Sequence, residues 1–131
     1  MKDAVILIPS YEPDDNLVKI VDALSKDDFP LLVVNDGSDP SFDIVFEQIK
    51  EKASYLSYKY NRGKGYALRY GYNKIKELFP DSKYVITVDG DGQHSIEDIN
   101  KVYIKLCEED KIVLGVRNLD KDIPPKSKFG R

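Results

Sequence analysis

The segment TVDGDGQH, residues 87–94, carries two carboxylates, Asp89 and Asp91, at the end of an apolar run. Alternate side chains of an extended chain point the same way, so the two carboxylates can converge on one ligand. Carboxylate oxygens suit Mg²⁺ or Mn²⁺, and a phosphate-bearing substrate would complete the coordination shell. Gly90 and Gly92 would leave room for that ligand beside the main chain. The alternative is an acidic turn, because Asp and Gly are favoured in turns for conformational reasons alone.

Apolar residues follow two alternating spacings along the chain. Short apolar runs predict strands, and segments with apolar residues three and four apart predict the helices between them. The predicted strands are residues 4–9, 30–34, 55–60, 84–88 and 111–116. The apolar faces of the predicted helices comprise Leu17, Ile20, Val21 and Leu24; Phe42, Val45, Phe46 and Ile49; Leu68, Tyr72, Ile75, Leu78 and Phe79; and Ile99, Val102, Tyr103 and Leu106. This alternation predicts an α/β fold, a three-layer α/β/α sandwich with a mostly parallel sheet.

Polar, glycine-containing segments follow four of the predicted strands. Residues 10–12 follow the first strand, residues 35–37 the second and residues 61–64 the third, while Asp89 and Asp91 follow the fourth. Parallel strands end at the same edge of a sheet, where loops form ligand sites. The shared edge therefore favours a binding site over an isolated acidic turn.

Composition indicates one globular domain covering residues 1–131, with 41% hydrophobic residues and a net charge of −3. Mixed charge argues against a nucleic-acid binder that relies on a broad basic surface. The one cysteine, Cys107, fits a reducing compartment and is expected to be buried on the apolar face of the fourth predicted helix. Neither a signal peptide nor a membrane-spanning run is recognised, so a cytoplasmic location is expected. Residues 119–131 are expected to form an open loop.

Five ordered motifs, IPSYEP, VVNDGSDP, NRGKGYALRYGYN, VDGDGQH and GVR, resemble glycosyltransferase family 2, inverting enzymes with the GT-A fold. The DGQH form is most similar to the branch of dolichol-phosphate mannose synthases and related polyprenyl-phosphate glycosyltransferases. The resemblance implies metal-dependent transfer of a sugar from a UDP- or GDP-sugar to an acceptor such as a polyprenyl phosphate. Such transfer would serve the synthesis of cell-envelope polysaccharide or glycolipid.

The resemblance also implies roles for residues that follow the first two strands. Pro9, Tyr11 and Glu12 would line the nucleotide pocket, with Tyr11 stacking beside the base. Asp36 would accept a hydrogen bond from the base ring, and Asn35 stands where many relatives have another Asp. These positions would form the nucleoside end of the donor site.

Further roles concern the diphosphate, the metal and the acceptor. Lys64 would reach the base or diphosphate, and Gly63 would permit close approach of the ligand. Asp89 would bind the ribose and, together with Asp91 and Gln93, a divalent cation, Mg²⁺ or Mn²⁺. Asp91 would contribute to catalysis through the metal that it holds. Arg117 matches the arginine that faces the phosphate of the acceptor in the polyprenyl-phosphate branch of the family.

The family's catalytic unit continues well past 131 residues, so the chain is expected to be the nucleotide-binding half, lacking a general base and transferring sugar poorly by itself. The resemblance allows a lipid phosphate at the inner membrane face as the acceptor. A phosphate is already ionised at neutral pH and would need little help from a general base. A non-catalytic nucleotide-sugar-binding module stays open as an alternative, as does self-association. A dinucleotide-binding oxidoreductase is excluded because no G-x-G-x-x-G follows the first strand.

Overall fold

The computed structural model describes residues 2–90, 95–109 and 115–116. The strands are β1 (Ala4–Ser10), β2 (Leu31–Asp36), β3 (Ser54–Tyr58), β4 (Tyr84–Val88) and β5 (Gly115–Val116). The helices are α1 (Asp15–Lys26), α2 (Asp43–Glu47), α3 (Lys64–Leu78) and α4 (Ile96–Glu109), with a 3₁₀ turn (Pro40–Phe42) directly before α2. The predicted alternation of strand and helix is confirmed. No helix in the described ranges is long and apolar enough to cross a bilayer.

All strand pairs in the five-stranded sheet are parallel, in the order β3-β2-β1-β4-β5. The chain begins in the middle of the sheet, builds outward through β2 and β3, and then returns to the other side of β1. The order therefore reverses between β1 and β4. In open parallel sheets ligands bind beyond the carboxyl ends of the strands at such a reversal. The topology places the expected ligand site between the loops that follow β1 and β4.

Helices cover both faces of the sheet and give the predicted three layers. On one face Ile6 packs in a cluster with Leu17 of α1 and Ile99 of α4. On the other face Leu7 packs in a second cluster with Ala67 of α3. Neighbouring residues of β1 thus serve opposite cores, because successive side chains of a strand alternate between faces. The apolar runs of the inner strands are buried on both sides for this reason.

Helix α3 contacts the sheet through the predicted residue Ile75 and through two small residues that its apolar spacing did not predict, Ala67 and Gly71. Its buried residues are Ala67, Gly71 and Ile75, whereas Leu78 is 46% exposed, so its predicted burial is wrong. A Cβ on Gly71 would lie 2.5 Å from the Leu7 Cδ1 atom. The helix backbone therefore rests directly on β1, and its larger apolar side chains pack at the flanks.

Cys107 is exposed, so the predicted buried thiol is wrong. The buried residues of α4 are Ile99, Val102 and Leu106. Each helical residue is turned about 100° from the one before it, and Cys107 follows directly after Leu106. This rotation takes the thiol off the buried stripe and into solvent.

Candidate functional site

Three of the predicted site residues share one face at the carboxyl end of the sheet. The strand residues that pack beneath α3 include Leu7, Val34 and Val85. Counted from these, Pro9 and Asp36 lie two residues further along their strands, and Asp89 lies four residues further along. Alternation along the strands therefore places them on the side of α3. By the same argument Ser10 and Asn35 lie on the opposite side. The sheet thus sorts neighbouring polar residues into two groups, and the two aspartates belong to the same group.

The Asp36 carboxylate is only 3% exposed and accepts four hydrogen bonds from described residues. Its Oδ1 atom accepts hydrogen bonds from the Tyr58 hydroxyl at 2.6 Å and from the Arg62 backbone N–H at 2.9 Å. Its Oδ2 atom accepts from the Asn61 side-chain amide at 2.9 Å and from the Gly63 backbone N–H at 3.0 Å. A carboxylate offers about four acceptor positions, so protein donors satisfy this one completely. The predicted contact of Asp36 with a base ring stays a prediction.

Gly37 brings the end of β2 into direct backbone contact with the turn after β3. Its φ is +66°, and a Cβ there would lie 2.1 Å from the Asn61 nitrogen and 2.1 Å from the Tyr60 carbonyl carbon. The Asn61 side-chain amide also donates to the Asp36 carbonyl oxygen at 3.1 Å. Only glycine combines this conformation with this approach. The segment of residues 60–63, called the anchored turn below, is therefore held by both the backbone and the side chain of β2's last residues.

The anchored turn leads directly into α3 and sets the position of Lys64. Gly63 precedes the helix with φ 95° and ψ 161°, and no described side chain caps the helix start. A Cβ on Gly63 would meet nothing within 4 Å, so space is open beside it. The Lys64 ammonium contacts the Asp89 Oδ1 atom, with the two side chains 40% and 28% exposed. The Lys64 side chain thus reaches from the start of α3 to the end of β4. A lysine and an uncapped helix N-terminus both attract anions.

The loop after β1 places Tyr11 at the surface, 52% exposed. Glu12 adopts a left-handed φ of 48°, and its backbone N–H donates to the Ser38 hydroxyl oxygen at 2.8 Å. This bond ties the loop after β1 to the loop after β2. The negative charge of Glu12 and, after it, desolvation raise the pKa of Tyr11 above its ordinary value. The exposed ring is available for stacking, and the predicted contact with a base stays a prediction.

The sequence predicts that Gly90 leaves room for a ligand, but in the structure this glycine packs against β1. A Cβ on Gly90 would lie 2.9 Å from the Ser10 hydroxyl oxygen and 3.4 Å from the Ile8 Cγ2 atom. The Ser10 hydroxyl is itself buried and makes no hydrogen bond within the described ranges. Close packing of β4 on β1 therefore explains this glycine.

Tyr58 is a site residue that the sequence did not reveal, since its tyrosine neighbours suggested packing alone. Its ring makes edge-to-face contacts with Tyr66 and Tyr70 of α3, with centroids 5.3 and 5.2 Å away. Burial and its hydrogen bond to Asp36 raise the pKa of Tyr58 well above the ordinary value. The register of β2 and β3 could have revealed this role. The two parallel strands end at the same level, which places Tyr58 opposite Asp36.

Asp91, Gln93 and Arg117 lie outside the described residues, so their predicted roles in holding a metal and facing an acceptor stay predictions. Within the described ranges, no group of three or more Asp, Glu, His or Cys residues is arranged to hold a metal ion. Of the three predicted metal ligands, Asp89 alone is described. Its partly exposed carboxylate at a strand end is chemically suited to a hard divalent cation.

The parallel sheet, its covering helices and the polar edge define a Rossmann-like α/β domain of the GT-A type. Residues 5–128 match the family model described as glycosyl transferase family 2. The chain therefore belongs to glycosyltransferase family 2, which confirms the family predicted from its motifs.

Curated relatives agree with the branch that the DGQH segment resembles. A dolichyl-phosphate beta-glucosyltransferase of Dictyostelium discoideum is 29% identical, over 96% of this chain and 44% of the relative. A UDP-N-acetylglucosamine–dolichyl-phosphate N-acetylglucosaminyltransferase of Methanococcus voltae is 26% identical, over 86% of this chain and 51% of the relative. An uncharacterised protein of Methanocaldococcus jannaschii is 32% identical, over 92% and 54%. The chain thus spans about half the length of these relatives. No solved structure matches significantly.

Proposed function

We propose that this chain is the donor-binding part of an inverting glycosyltransferase that uses a UDP- or GDP-sugar and passes the sugar to a polyprenyl phosphate. The two relatives named as dolichyl-phosphate transferases support this choice of acceptor class. Because such an acceptor is a lipid, the reaction would take place at a membrane surface. The binding of donor and cation is proposed together with this activity.

The observation that carries the proposal is the meeting of Lys64, the uncapped start of α3 and Asp89 at the reversal of strand order. A nucleoside diphosphate carries several negative charges, and a helix N-terminus offers backbone N–H groups to such an anion. Lys64 adds a full positive charge beside the same N–H groups. Open space next to Gly63 would let a diphosphate approach the backbone closely.

The proposed reaction is a displacement at the anomeric carbon of the sugar. An oxygen of the acceptor phosphate attacks this carbon from the side opposite the nucleoside diphosphate, and the carbon–oxygen bond to the diphosphate breaks. The bonding electron pair leaves with the diphosphate, so the configuration inverts. Lys64 and the N–H groups of α3 would stabilise the negative charge that develops there. Losing one such contact typically lowers the rate by about 10²–10³.

Asp89, Asp91 and Gln93 are the residues proposed to hold Mg²⁺ or Mn²⁺. Two carboxylates and an amide oxygen form a hard donor set, and the position of Asp89 at the end of β4 fits such a site. When bound, the cation would supply Lewis-acid stabilisation of the diphosphate.

Calorimetry with UDP and GDP, each with and without Mn²⁺ or Mg²⁺, tests the donor site. We expect tighter binding when the cation is present, and Asp91→Ala should weaken binding while circular dichroism shows an intact fold. Unchanged affinity in that variant would mean that residues 89–92 form only an acidic turn. A second assay follows transfer of labelled sugar to a polyprenyl phosphate. We expect little or no transfer by this chain alone, because it is proposed to be the donor-binding part, and robust transfer would contradict that expectation.

A further inference from the structure

We infer that the solvent side of α3 is a docking surface for a membrane that contains anionic phospholipids. This surface, called the basic tyrosine face below, consists of six residues of α3 that are not among its buried ones: Tyr66, Arg69, Tyr70, Tyr72, Lys74 and Lys76. The inference rests on the proposed function, because it names the surface that would bring the donor site to a lipid acceptor. The roles that the family resemblance implies do not include these six residues.

The first argument is that the two faces of the sheet carry opposite charge. On one face, α3 has four basic residues and one acidic residue. On the other face, α1, α2 and α4 together have eight acidic residues, of which α4 contributes four, and only four basic ones. The whole chain has a net charge of −3, so the basic character of α3 runs against the composition. An anionic surface would therefore orient the domain with α3 towards it.

Screening by salt keeps the acidic face from cancelling this attraction. At physiological ionic strength exposed charges act over about 8 Å. A helix is about 10 Å across, so α3 alone would hold the sheet beyond this range from a bilayer, and the acidic helices lie on the far side of the sheet. Each lysine or arginine near an anionic bilayer strengthens binding by about fivefold. Arg69, Lys74 and Lys76 would therefore act together on the bilayer, while the carboxylates of α1 and α4 would be screened.

The second argument is that tyrosine rings alternate with these cations. The Lys74 ammonium lies 5.7 Å from the centroid of the Tyr70 ring, and the Lys76 ammonium lies 5.1 Å from that of Tyr72. Tyrosine is enriched where a membrane meets water, because its ring is apolar and its hydroxyl is polar. Lysine can lay its apolar stem along such rings and extend its charge to the lipid phosphates. The basic tyrosine face thus has the composition of a surface that contacts headgroups.

The same contacts favour a bilayer over a single-stranded nucleic acid. A nucleic acid would need open ring faces on which its bases could stack. The Arg62 guanidinium lies over the Tyr66 ring, 5.0 Å from its centroid. The rings of Tyr66 and Tyr70 are themselves stacked, with centroids 6.3 Å apart and planes 15° apart. Groups of the protein therefore already occupy ring faces that bases would require.

The third argument is the position of the donor site at one end of this face. Helix α3 begins at Lys64, whose ammonium contacts Asp89 at the end of β4. The helix has 15 residues and is therefore about 22 Å long. A bilayer lying along α3 would meet the edge of the proposed donor site at the start of the helix. Docking through this face would thus bring the donor close to an acceptor phosphate held in the membrane.

Vesicle flotation tests the inference with no nucleotide present. The wild-type chain should bind vesicles made of equal parts of phosphatidylcholine and phosphatidylglycerol, bind pure phosphatidylcholine vesicles far less, and leave the anionic vesicles at high salt. Arg69→Glu combined with Lys76→Glu should lower the partition coefficient by about 30-fold or more. Both residues are exposed and lie outside the proposed donor site, so circular dichroism should show an intact fold.

Lys19→Glu combined with Lys101→Glu is the matched control, because it makes the same change in net charge on α1 and α4. It should lower the partition coefficient by less than about threefold. Equal losses in the two double variants would mean that only net charge matters, and would overturn the inference. A wild-type chain that fails to bind anionic vesicles would also overturn it, whether or not that chain binds a single-stranded oligonucleotide.

Lysine acetylation followed by mass spectrometry locates the docked face on the wild-type chain. Anionic vesicles should protect Lys74 and Lys76 and leave Lys19 and Lys101 reactive, and equal protection of all four would contradict docking through α3. Calorimetry with UDP and GDP reports separately on the donor site. If vesicles but neither nucleotide were bound, the proposed function would fail and the docking surface would stand. Binding of nucleotide without binding of vesicles would refute the docking surface alone.

Discussion

Replacing Lys64 with methionine removes one positive charge and keeps a long unbranched side chain. The variant therefore separates the contribution of the Lys64–Asp89 ion pair to stability from the contribution of Lys64 to nucleotide binding. In the folded protein the Lys64 ammonium contacts Asp89, with side-chain exposures of 40% and 28%. Ion pairs that are this open to solvent stabilise proteins by only about 0.2–1 kcal/mol. We therefore expect Lys64→Met to lower the free energy of unfolding by no more than about 1 kcal/mol.

The effect of the same change on binding should be larger. A hydrogen bond between a lysine and a diphosphate involves two charged partners and is worth about 1.5–3 kcal/mol. This range corresponds to a loss of affinity of about 10- to 100-fold for UDP or GDP. Isothermal titration calorimetry at moderate salt measures it, and urea unfolding measures the stability of the same sample.

Lys52→Met provides a matched control, because Lys52 contacts Asp22 in a similarly exposed ion pair, with side-chain exposures of 45% and 34%. That pair joins α1 to the segment before β3, away from the carboxyl end of the sheet. Both variants should lose similar stability, but only Lys64→Met should lose affinity. Equal affinities in the two variants would refute the assignment of Lys64 to the diphosphate.

Two further changes test the fold around the site. Gly37→Ala should lower the free energy of unfolding by about 2–4 kcal/mol in urea titrations, because its Cβ would clash with the Asn61 backbone at a left-handed φ of +66°. Asp27 accepts bonds from Asn100 and Lys2, which hold its pKa below the ordinary value. Its stabilisation is therefore complete above the unfolded pKa of about 3.9 and is lost as pH falls through the lower folded pKa. The stability difference between wild type and Asp27→Asn should accordingly shrink on acidification, and a constant difference from pH 7 to pH 2 would contradict this reasoning.

The sheet and its helices were predictable because their signals are local. Val5 and Leu7 belong to an apolar run that only a strand with two covered faces explains, and that run is β1. The helices followed from apolar spacing, but only one of the buried residues of α3, Ile75, did. The contact of α3 with the sheet depends on Gly71, and spacing rules weigh large residues rather than the absence of a side chain.

The location of the polar residues at one edge of the sheet was predictable from the sequence, but their hydrogen-bond partners were not. Motif order brought Asp36, Lys64 and Asp89 to one edge, and the structure joins the latter two directly. The bonds of Asp36, however, reach residues 22 to 27 positions further along the chain. Such partners depend on how far each strand extends, and β2 ends at Asp36, two residues beyond the predicted end. Tyr58 could not be recognised before that end was known.

Alternation along the strands also limits how the length of such a domain can change during evolution. Asp36 and Asn35 are neighbours on opposite faces of β2, and Asp36 alone reaches the anchored turn. Inserting or deleting one residue within β2 would exchange their faces, so the amide would replace the carboxylate beneath α3. Two residues could be gained or lost without this exchange. We therefore expect tolerated length changes in β2 and β4 to come in even numbers, while the loops beyond them vary freely.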